Sequence, residues 1–595
     1  MNRWQSETAN AARRTEREKR AEIRTTPSAT VAAMTEPPRP LIDTADGYAF
    51  KPHEMPILPG SPANPDHPLR RRAGYLAIGV FIGLLGGAQN GFLLANTPAL
   101  QAEFALTPVE AGWMTVAFYA TYASMSLLLF RVRQEFGIQL FVRWAMAGLV
   151  AANLVQIIGP GYYWELGARA VAGIAASGLS ALAIYYLMQG LPPALRTVGL
   201  VLSLGLTQIA FPLTRALSPA LLVDGDMERV FQFQFAISLI GLGLVYLLRL
   251  PPGVRKVTFE KLDIPSITLF IVGVAALCAF LIQGRIQWWD APWLGYALAL
   301  SVIGLGGCLL IEANRKSPML DLSWLSSRAI LSIAAIGATV RVLVAEQGFG
   351  ASGMFAALGY GNEQLTGYFW VLTGATAAGM VLSVIRLDPK DLARPVLFAV
   401  LVIGVAAFAD TRAGVMSRPQ DLYLSQAAIA FAAVFAMGPV LMQGMLRALA
   451  AGQNYVVGFI AIFSLSQSVG GLAGIALLSA FHTVRLKTHL IDAGTTLAMS
   501  NAQLSQAISN VAQRTAPLQQ DPALVQQSTS ASITQQIGRE AAVLAFNDVF
   551  FLIGTLSAIT LLALLVPWVI NKIRGRNPLA KELAFIEAMR ARTQP

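Results

Sequence analysis

The chain has 595 residues, 55% of them hydrophobic and only 13% charged, with a formal net charge of +11 and a mean hydropathy of +0.55. A soluble domain carries roughly a quarter charged residues, so this composition excludes an ordinary water-soluble fold and calls for lipid as the solvent. Much of the positive charge sits in tails and short loops, where basic residues set membrane topology, which argues against a nucleic-acid footprint.

Residues 1 to about 72 are polar, rich in Pro, Ser, Thr, Arg and Glu, and lack the apolar h-region of a signal peptide. They read as a disordered tail, with a short charged helix over ARRTEREKRAEIR, closed by Arg70, Arg71 and Arg72. Fourteen apolar segments of spanning length follow, at about 74–95, 110–130, 139–158, 166–188, 196–216, 229–248, 263–283, 292–312, 329–350, 364–385, 394–410, 421–445, 455–479 and 545–570. Short loops on the N-terminal side carry fourteen Lys and Arg, and the opposite short loops four, namely Arg229, Arg285, Arg412 and Arg418. Basic residues stay on the cytoplasmic side, so both termini are expected there, in an all-α polytopic membrane protein. A basic tail, 571–595, ends the chain.

The outer loop 482–543 is long and polar. NAQLSQAISNVAQR and ASITQQIGREAAVLAF show helical spacing of apolar residues on either side of APLQQDPA. A helical hairpin offering a docking surface to an envelope partner and a flexible tether are the two readings.

Ionisable groups at membrane depth are costly and so mark function by default. Arg143 lies near the inner end of its span and can snorkel. Arg169 and Gln89 lie at similar depths near the outer ends of the fourth and first spans. Arg341 falls near the midplane of the ninth span. Glu346, five residues on and around the helix from Arg341, is the most obvious carboxylate within the spans and the candidate proton carrier. The competing reading puts it at a frayed, solvated helix end. Asp548 is a lesser candidate. Cys278 and Cys308 lie in neighbouring spans at depths too different for a disulfide. No nucleotide loop, catalytic triad or metal-ligand spacing emerges, so no catalytic residue, cofactor or metal is expected, and the chain is not read as an enzyme.

Several stretches, in order and spacing, carry a family likeness: LLANTPALQAEF, EAGWMTVAFYATYASMSLLLF, ELGARAVAGIAASG, NRKSPMLDLSWLSSR, SLSQSVGGLAGIALL and FNDVFFLIG. Together they resemble the fourteen-helix drug:proton antiporter branch of the major facilitator superfamily, the EmrB/QacA type, over most of the chain beyond the N-terminal tail. The resemblance implies a first six-helix bundle at 74–248 after a tail at 1–73, two linking helices with their loops at 249–328, and a second bundle at 329–570. It implies a multi-pass protein of the inner membrane that exports hydrophobic or amphipathic toxic compounds (drugs, aromatic or fatty acids) by proton-coupled alternating access. The implied partners are the export substrate, protons, the lipid bilayer, and a periplasmic adaptor (membrane fusion protein) with an outer-membrane channel, with no nucleic acid.

The likeness also locates departures. Gln89, beside Asn90, stands where the family carries an aspartate, and Pro98 on the family's proline. Arg169 and Gly173 match the fourth-helix motif. Since the first and fourth helices line the central cavity in this fold, the Gln89 amide oxygen is expected to accept from Arg169, with Glu165 competing. In FRVRQEFGIQL, Gly137 survives while Gln134 replaces the family's Asp, and Arg131 is a further candidate of the same motif. In AFPLTRAL, Pro212 survives, Phe211 replaces a Gly, and Arg215 with Ala216 replace a Gly pair. Arg215 and Arg341, with few buried acids, suit an anionic substrate better than a lipophilic cation. The eroded motifs also fit an alternative: a coupling-deficient relative acting as a membrane scaffold or partner-binding protein.

Overall fold

The computed structural model describes Glu54 and residues 61–159, 161–192, 195–196, 198–222, 225–253, 260–315, 318, 321–499, 506, 509, 513 and 522–585. The charged N-terminal stretch ARRTEREKRAEIR, most of NAQLSQAISNVAQR and the end of the C-terminal tail lie outside these residues. The long helices are α1 Leu69–Ala95, α2 Pro108–Phe136, α3 Ile138–Ile158, α4 Tyr162–Gly190, α5 Val198–Leu221, α6 Glu228–Leu247 and α7 Asp263–Gln287. They continue as α8 Pro292–Ala313, α9 Arg328–Glu346, α10 Thr366–Ile385, α11 Ala393–Asp410, α12 Tyr423–Ala451, α13 Gln453–Met499 and α14 Pro522–Ile573. An all-helical chain keeps its backbone hydrogen bonds internal, as hydrocarbon requires. Among the described residues 13 helices are long and apolar enough to cross a membrane. The remaining one, α2, has 29 residues, ample length to span, and is held within the bundle, packed on α4 and α7.

α1 packs on α4 and α5, and α3 on α4 and α6, which makes one bundle. α9 packs on α12 and α13, α10 on α12, α11 on α12 and α14, and α13 on α14, which makes a second. α7 and α8 pair with each other, and α7 leans on α2. The seam between the bundles is formed by α5 against α10 and α12 and by α2 against α13. Lipid tails are as apolar as leucine, so close backbone approach holds such helices together. On α1, a Cβ at Gly87 would stand 2.5 Å from Ala210 Cβ, and one at Gly91 2.4 Å from Thr214 Oγ1, both on α5.

Local signals fix the helix ends. Thr107 caps α2: its Oγ1 accepts from the Glu110 amide at 3.3 Å, while Glu110 Oε2 accepts from the Thr107 amide at 2.8 Å. α2 breaks into α3 at Gly137, where φ is +79°, a value that favours glycine. The ninth span extends past the expected residue 350. A π-helical turn, Gln347–Ala351, carries α9 on into Ser352–Ala357.

Part of the stretch read as tail is ordered. Residues 61–67 run across one end of the first bundle, and α1 begins at Leu69. The Ala63 amide donates to the Pro252 carbonyl at 2.9 Å, and Gln189 Nε2 of α4 donates to the Ala63 carbonyl at 2.7 Å. His67 Nε2 lies 2.9 Å from Gln189 Oε1. Since Gln189 Oε1 can only accept, that nitrogen carries the proton. Burial depresses the His67 pKa below the ordinary histidine value despite the Gln189 bond, and nearby Arg71, Arg196 and Arg72 push the same way.

Within 482–543, α13 runs on as helix to Met499 and α14 is helical from Pro522, which covers ASITQQIGREAAVLAF; most of the connection between them lies outside the described residues.

Candidate functional site

Polar side chains converge on the seam. Arg341 of α9 donates from Nη1 to Gln208 Oε1 of α5 at 3.1 Å and from Nε to the Gln467 carbonyl of α13 at 3.2 Å. It is half-buried and lies within electrostatic reach of Tyr119 and Tyr122 on α2. Asn90 faces Tyr119 from α1. Gly470, Gly471 and Gly474 make room here: a Cβ on Gly471 would stand 3.1 Å from Arg341 Nε. The glycine stripe is thus a packing device that also admits a guanidinium.

Arg215 of α5 reaches the seam about two turns beyond Gln208 on the same helical face. Its guanidinium lies over Phe211 at 5.1 Å and over Phe369 of α10 at 5.3 Å. Phe211, which stands on an expected glycine position, is therefore half of a cation–π clamp. The described partners of Arg215 and Arg341 are rings, amides and a carbonyl rather than carboxylates. Pro212 lies inside α5.

Glu346 is fully buried (0% exposed), which removes the frayed-end reading. Gln426 of α12 donates from Nε2 to Glu346 Oε1 at 2.9 Å and to Asp410 Oδ2 of α11 at 2.8 Å. Tyr368 of α10 donates to Gln426 Oε1 at 3.2 Å, and Gln347 Nε2 to the Gln426 carbonyl at 3.0 Å. Glu346 Oε2 has no partner. Asp410, Gln426 and Tyr368 escape a sequence reading because each lies near the end of a span, where polar residues are ordinary. The available signal was that Asp410 ends an apolar run that holds no other acid.

The first bundle holds a second buried polar group. Arg169 Nε donates to Glu165 Oε1 at 2.9 Å, and Gln156 Nε2 to the same oxygen at 2.8 Å. Arg169 Nη1 does reach Gln89, but at its backbone carbonyl, 2.7 Å away. This corrects the expectation of a side-chain contact: Glu165, one helical turn away on the same face, takes the guanidinium first. Both amide atoms of Gln89 are buried without a partner.

At the ends of the linking helices, the family's missing loop charge is answered by new partners. Arg315 Nη1 lies 2.6 Å from Asp263 Oδ1 and 3.2 Å from Glu312 Oε1, and Nη2 lies 2.9 Å from Glu260 Oε2. Arg131 of α2 stands 4.0 Å from the same Asp263 oxygen. Burial works against the Arg315 charge, but the Asp263 and Glu260 hydrogen bonds and the Asp263 and Glu312 charges outweigh it and raise its pKa. Gln134 is buried and Arg133 lies over the Tyr185 ring at 4.9 Å. Arg143 is exposed on α3. Asp548 is tied to Arg485 at 2.6 Å and to His489 at 2.7 Å, pinning α14 to α13. Cys278 and Cys308 are free thiols. Among the described residues no group of three or more His, Cys, Asp or Glu is placed to hold a metal ion.

Two helical bundles meeting along a polar, cationic seam, with acids buried within spanning helices, define a multi-pass membrane protein. The chain is 25% identical over 418 residues to puromycin resistance protein pur8 of Streptomyces alboniger, covering 67% of this chain and 79% of that one. It is 28% identical over 162 residues to the probable multidrug resistance protein EmrY of Escherichia coli, covering 27% of this chain and 31% of that one. It is 24% identical over 251 residues to the major facilitator superfamily multidrug transporter mfsC of Aspergillus fumigatus, covering 41% and 47%. The crystal structure of the human organic anion transporter MFSD10 (TETRAN) superposes with a TM-score of 0.49 at 13% identity, covering 83% of this chain and 100% of that one. No family model matches the chain. The chain is thus similar to drug-resistance transporters of the major facilitator superfamily.

Proposed function

We propose that the protein is a secondary active exporter of hydrophobic or amphipathic compounds, working by alternating access between its two bundles and driven by the proton gradient. The observation that carries this reading is Arg341, a half-buried cation at membrane depth that joins α9 to α5 across the seam through a neutral amide. Transporters keep their sites at such repeat interfaces. A cation held by neutral partners retains charge for a ligand, so amphipathic acids, aromatic or fatty, are the favoured substrates. The basic-inside pattern supports both termini in the cytoplasm and the inner membrane as the location. The projecting α13–α14 hairpin supports docking of a periplasmic adaptor with its outer-membrane channel.

The test is transport by the full chain in proteoliposomes with an imposed pH gradient, using anilinonaphthalene sulfonate as an amphipathic anion and ethidium as a lipophilic cation. Gradient-driven movement, faster for the anion, is expected. No flux of either probe would sink the carrier reading and favour a membrane scaffold.

A further inference from the structure

We propose that Glu346 and Asp410 form one proton-binding site that holds a single proton between them, with Gln426 as its bridge and Tyr368 and Arg215 as its cover at the seam. The proposal rests on the proton-coupled reading above and gives that reading a location.

The stoichiometry follows from the hydrogen bonds. The Gln426 amide has two N–H bonds and gives one to each acid, Glu346 Oε1 at 2.9 Å and Asp410 Oδ2 at 2.8 Å. Its orientation is fixed from the other side, because the Tyr368 hydroxyl donates to Gln426 Oε1 at 3.2 Å. A neutral amide joins the two carboxylates but cannot balance two negative charges, and like charges this close do not both stay ionised in an apolar site. Glu346 Oε2, buried and without a partner, is the open position.

Among the described residues no ion pair to either acid is formed by the surrounding elements. α10 contributes Tyr368, and α5 contributes Arg215, whose guanidinium is held between Phe211 and Phe369. α13 contributes His482, whose ring packs on those of Phe349 at 5.7 Å and Phe546 at 4.1 Å. α14 presents Phe550, close to Gly350. On α9 itself Arg341 points away, to Gln208 and Gln467. A proton is therefore the balancing charge.

The same contacts tie the site to the seam. Arg215 belongs to the first bundle, while Phe369, Tyr368, Gln426 and both acids belong to the second. Separation of α5 from α10 withdraws Arg215 from Phe369 and opens the side of Tyr368. Proton exchange at the acid pair is thereby linked to parting of the bundles.

Infrared difference spectra of the full chain in lipid, recorded across a pH titration, test this without any transport substrate. Wild type should show a protonated-carboxyl band that titrates as one proton per chain. The isosteric variants Glu346→Gln and Asp410→Asn should each move the midpoint of that band to lower pH, because the remaining acid, still buried, no longer faces a like charge. A midpoint left at the wild-type pH in both variants overturns the proposal, and so does a wild type with no such band, a result that needs no variant to fold. A band that behaves as expected in a chain with no pH-driven flux would uphold the site and reject the coupled-carrier reading alone. Gradient-driven flux with no band assignable to the pair would reject the site alone.

Discussion

Arg341 and Gln208 join the two bundles through one hydrogen bond of 3.1 Å between a cation and a neutral amide. A lysine at 341 keeps the charge but not the fork that serves Gln208 and Gln467 together. A hydrogen bond to a charged group contributes about 1.5–3 kcal/mol, and roughly 1.4 kcal/mol is a factor of ten. Arg341→Ala should therefore slow export of anilinonaphthalene sulfonate by about tenfold or more, with a smaller effect on ethidium. Equal losses for both probes would show that Arg341 does not read substrate charge.

The contact between α9 and α13 should be intolerant of a methyl group. At Gly474 an added Cβ would sit 2.8 Å from Ala345 Cβ and 3.1 Å from Val342 Cα. Overpacking of this kind typically costs about 1–3 kcal/mol, so Gly474→Ala should lower the melting temperature of the purified protein. Gly494→Ala, further along the same helix with nothing within 4 Å, is the matched control and should not. Equal melting temperatures for the two variants would contradict the packing role.

Two substitutions around Arg169 should have opposite outcomes. Gln89→Leu deletes two unpartnered buried polar atoms and leaves the backbone carbonyl that Arg169 uses, so it should be neutral or mildly stabilising. Glu165→Gln removes the charge that partners a guanidinium only 1% exposed and should cost about 3–5 kcal/mol. Chemical unfolding followed by tryptophan fluorescence separates the cases. A large loss on Gln89→Leu would mean that the Gln89 amide has a hydrogen-bonding partner such as ordered water.

Arg315 holds two acids whose side chains are fully buried, Asp263 and Glu312. Arg131, 4.0 Å from Asp263, is a weaker described partner for that acid. Arg315→Ala should destabilise by about 3–5 kcal/mol, and Asp263→Asn in the same background should recover part of that loss in the same unfolding experiment. No recovery would remove the pairing as the cause.

His67 gives the residues 61–67 a pH dependence with a definite sign. Burial holds its pKa below the unfolded value, so the unfolded chain binds more protons between the two values and stability rises with pH there. The contribution is complete above the ordinary histidine value of about 6.5 and is lost as pH falls from there toward the lowered folded value. Lowering the pH from about 7 to 5 should reduce the melting temperature of wild type more than that of His67→Gln. Parallel curves would exclude His67 as the sensor.

The helical class, the spans and the departures at 89, 134 and 215 were legible because each is a local property of composition, length or motif. The partners were not. Glu346 was visible as an acid in an apolar run, but Asp410 and Gln426 meet it from other helices, and neither breaks the pattern of its own segment. Gln89 drew the wrong contact because spacing gives the depth of a residue but does not say whether backbone or side chain faces the neighbour. Gln134 marked a missing acid, while Asp263 and Arg315, which bring charge back beside Arg131, lie more than a hundred residues further along the chain.

The lengths of α13 and α14 carry a mechanical consequence. At about 1.5 Å per residue, helices of 47 and 52 residues are more than twice as long as the roughly 30 Å of hydrocarbon they need to cross. Asp548, clamped by Arg485 and His489, makes the pair a single arm rooted in the second bundle. Any tilt of that bundle is multiplied by the leverage of the arm, so a rotation too slight to register at the membrane midplane becomes a sweep at the free end. A fluorophore pair placed there would serve as the pointer of a gauge, reporting each turnover from outside the bilayer.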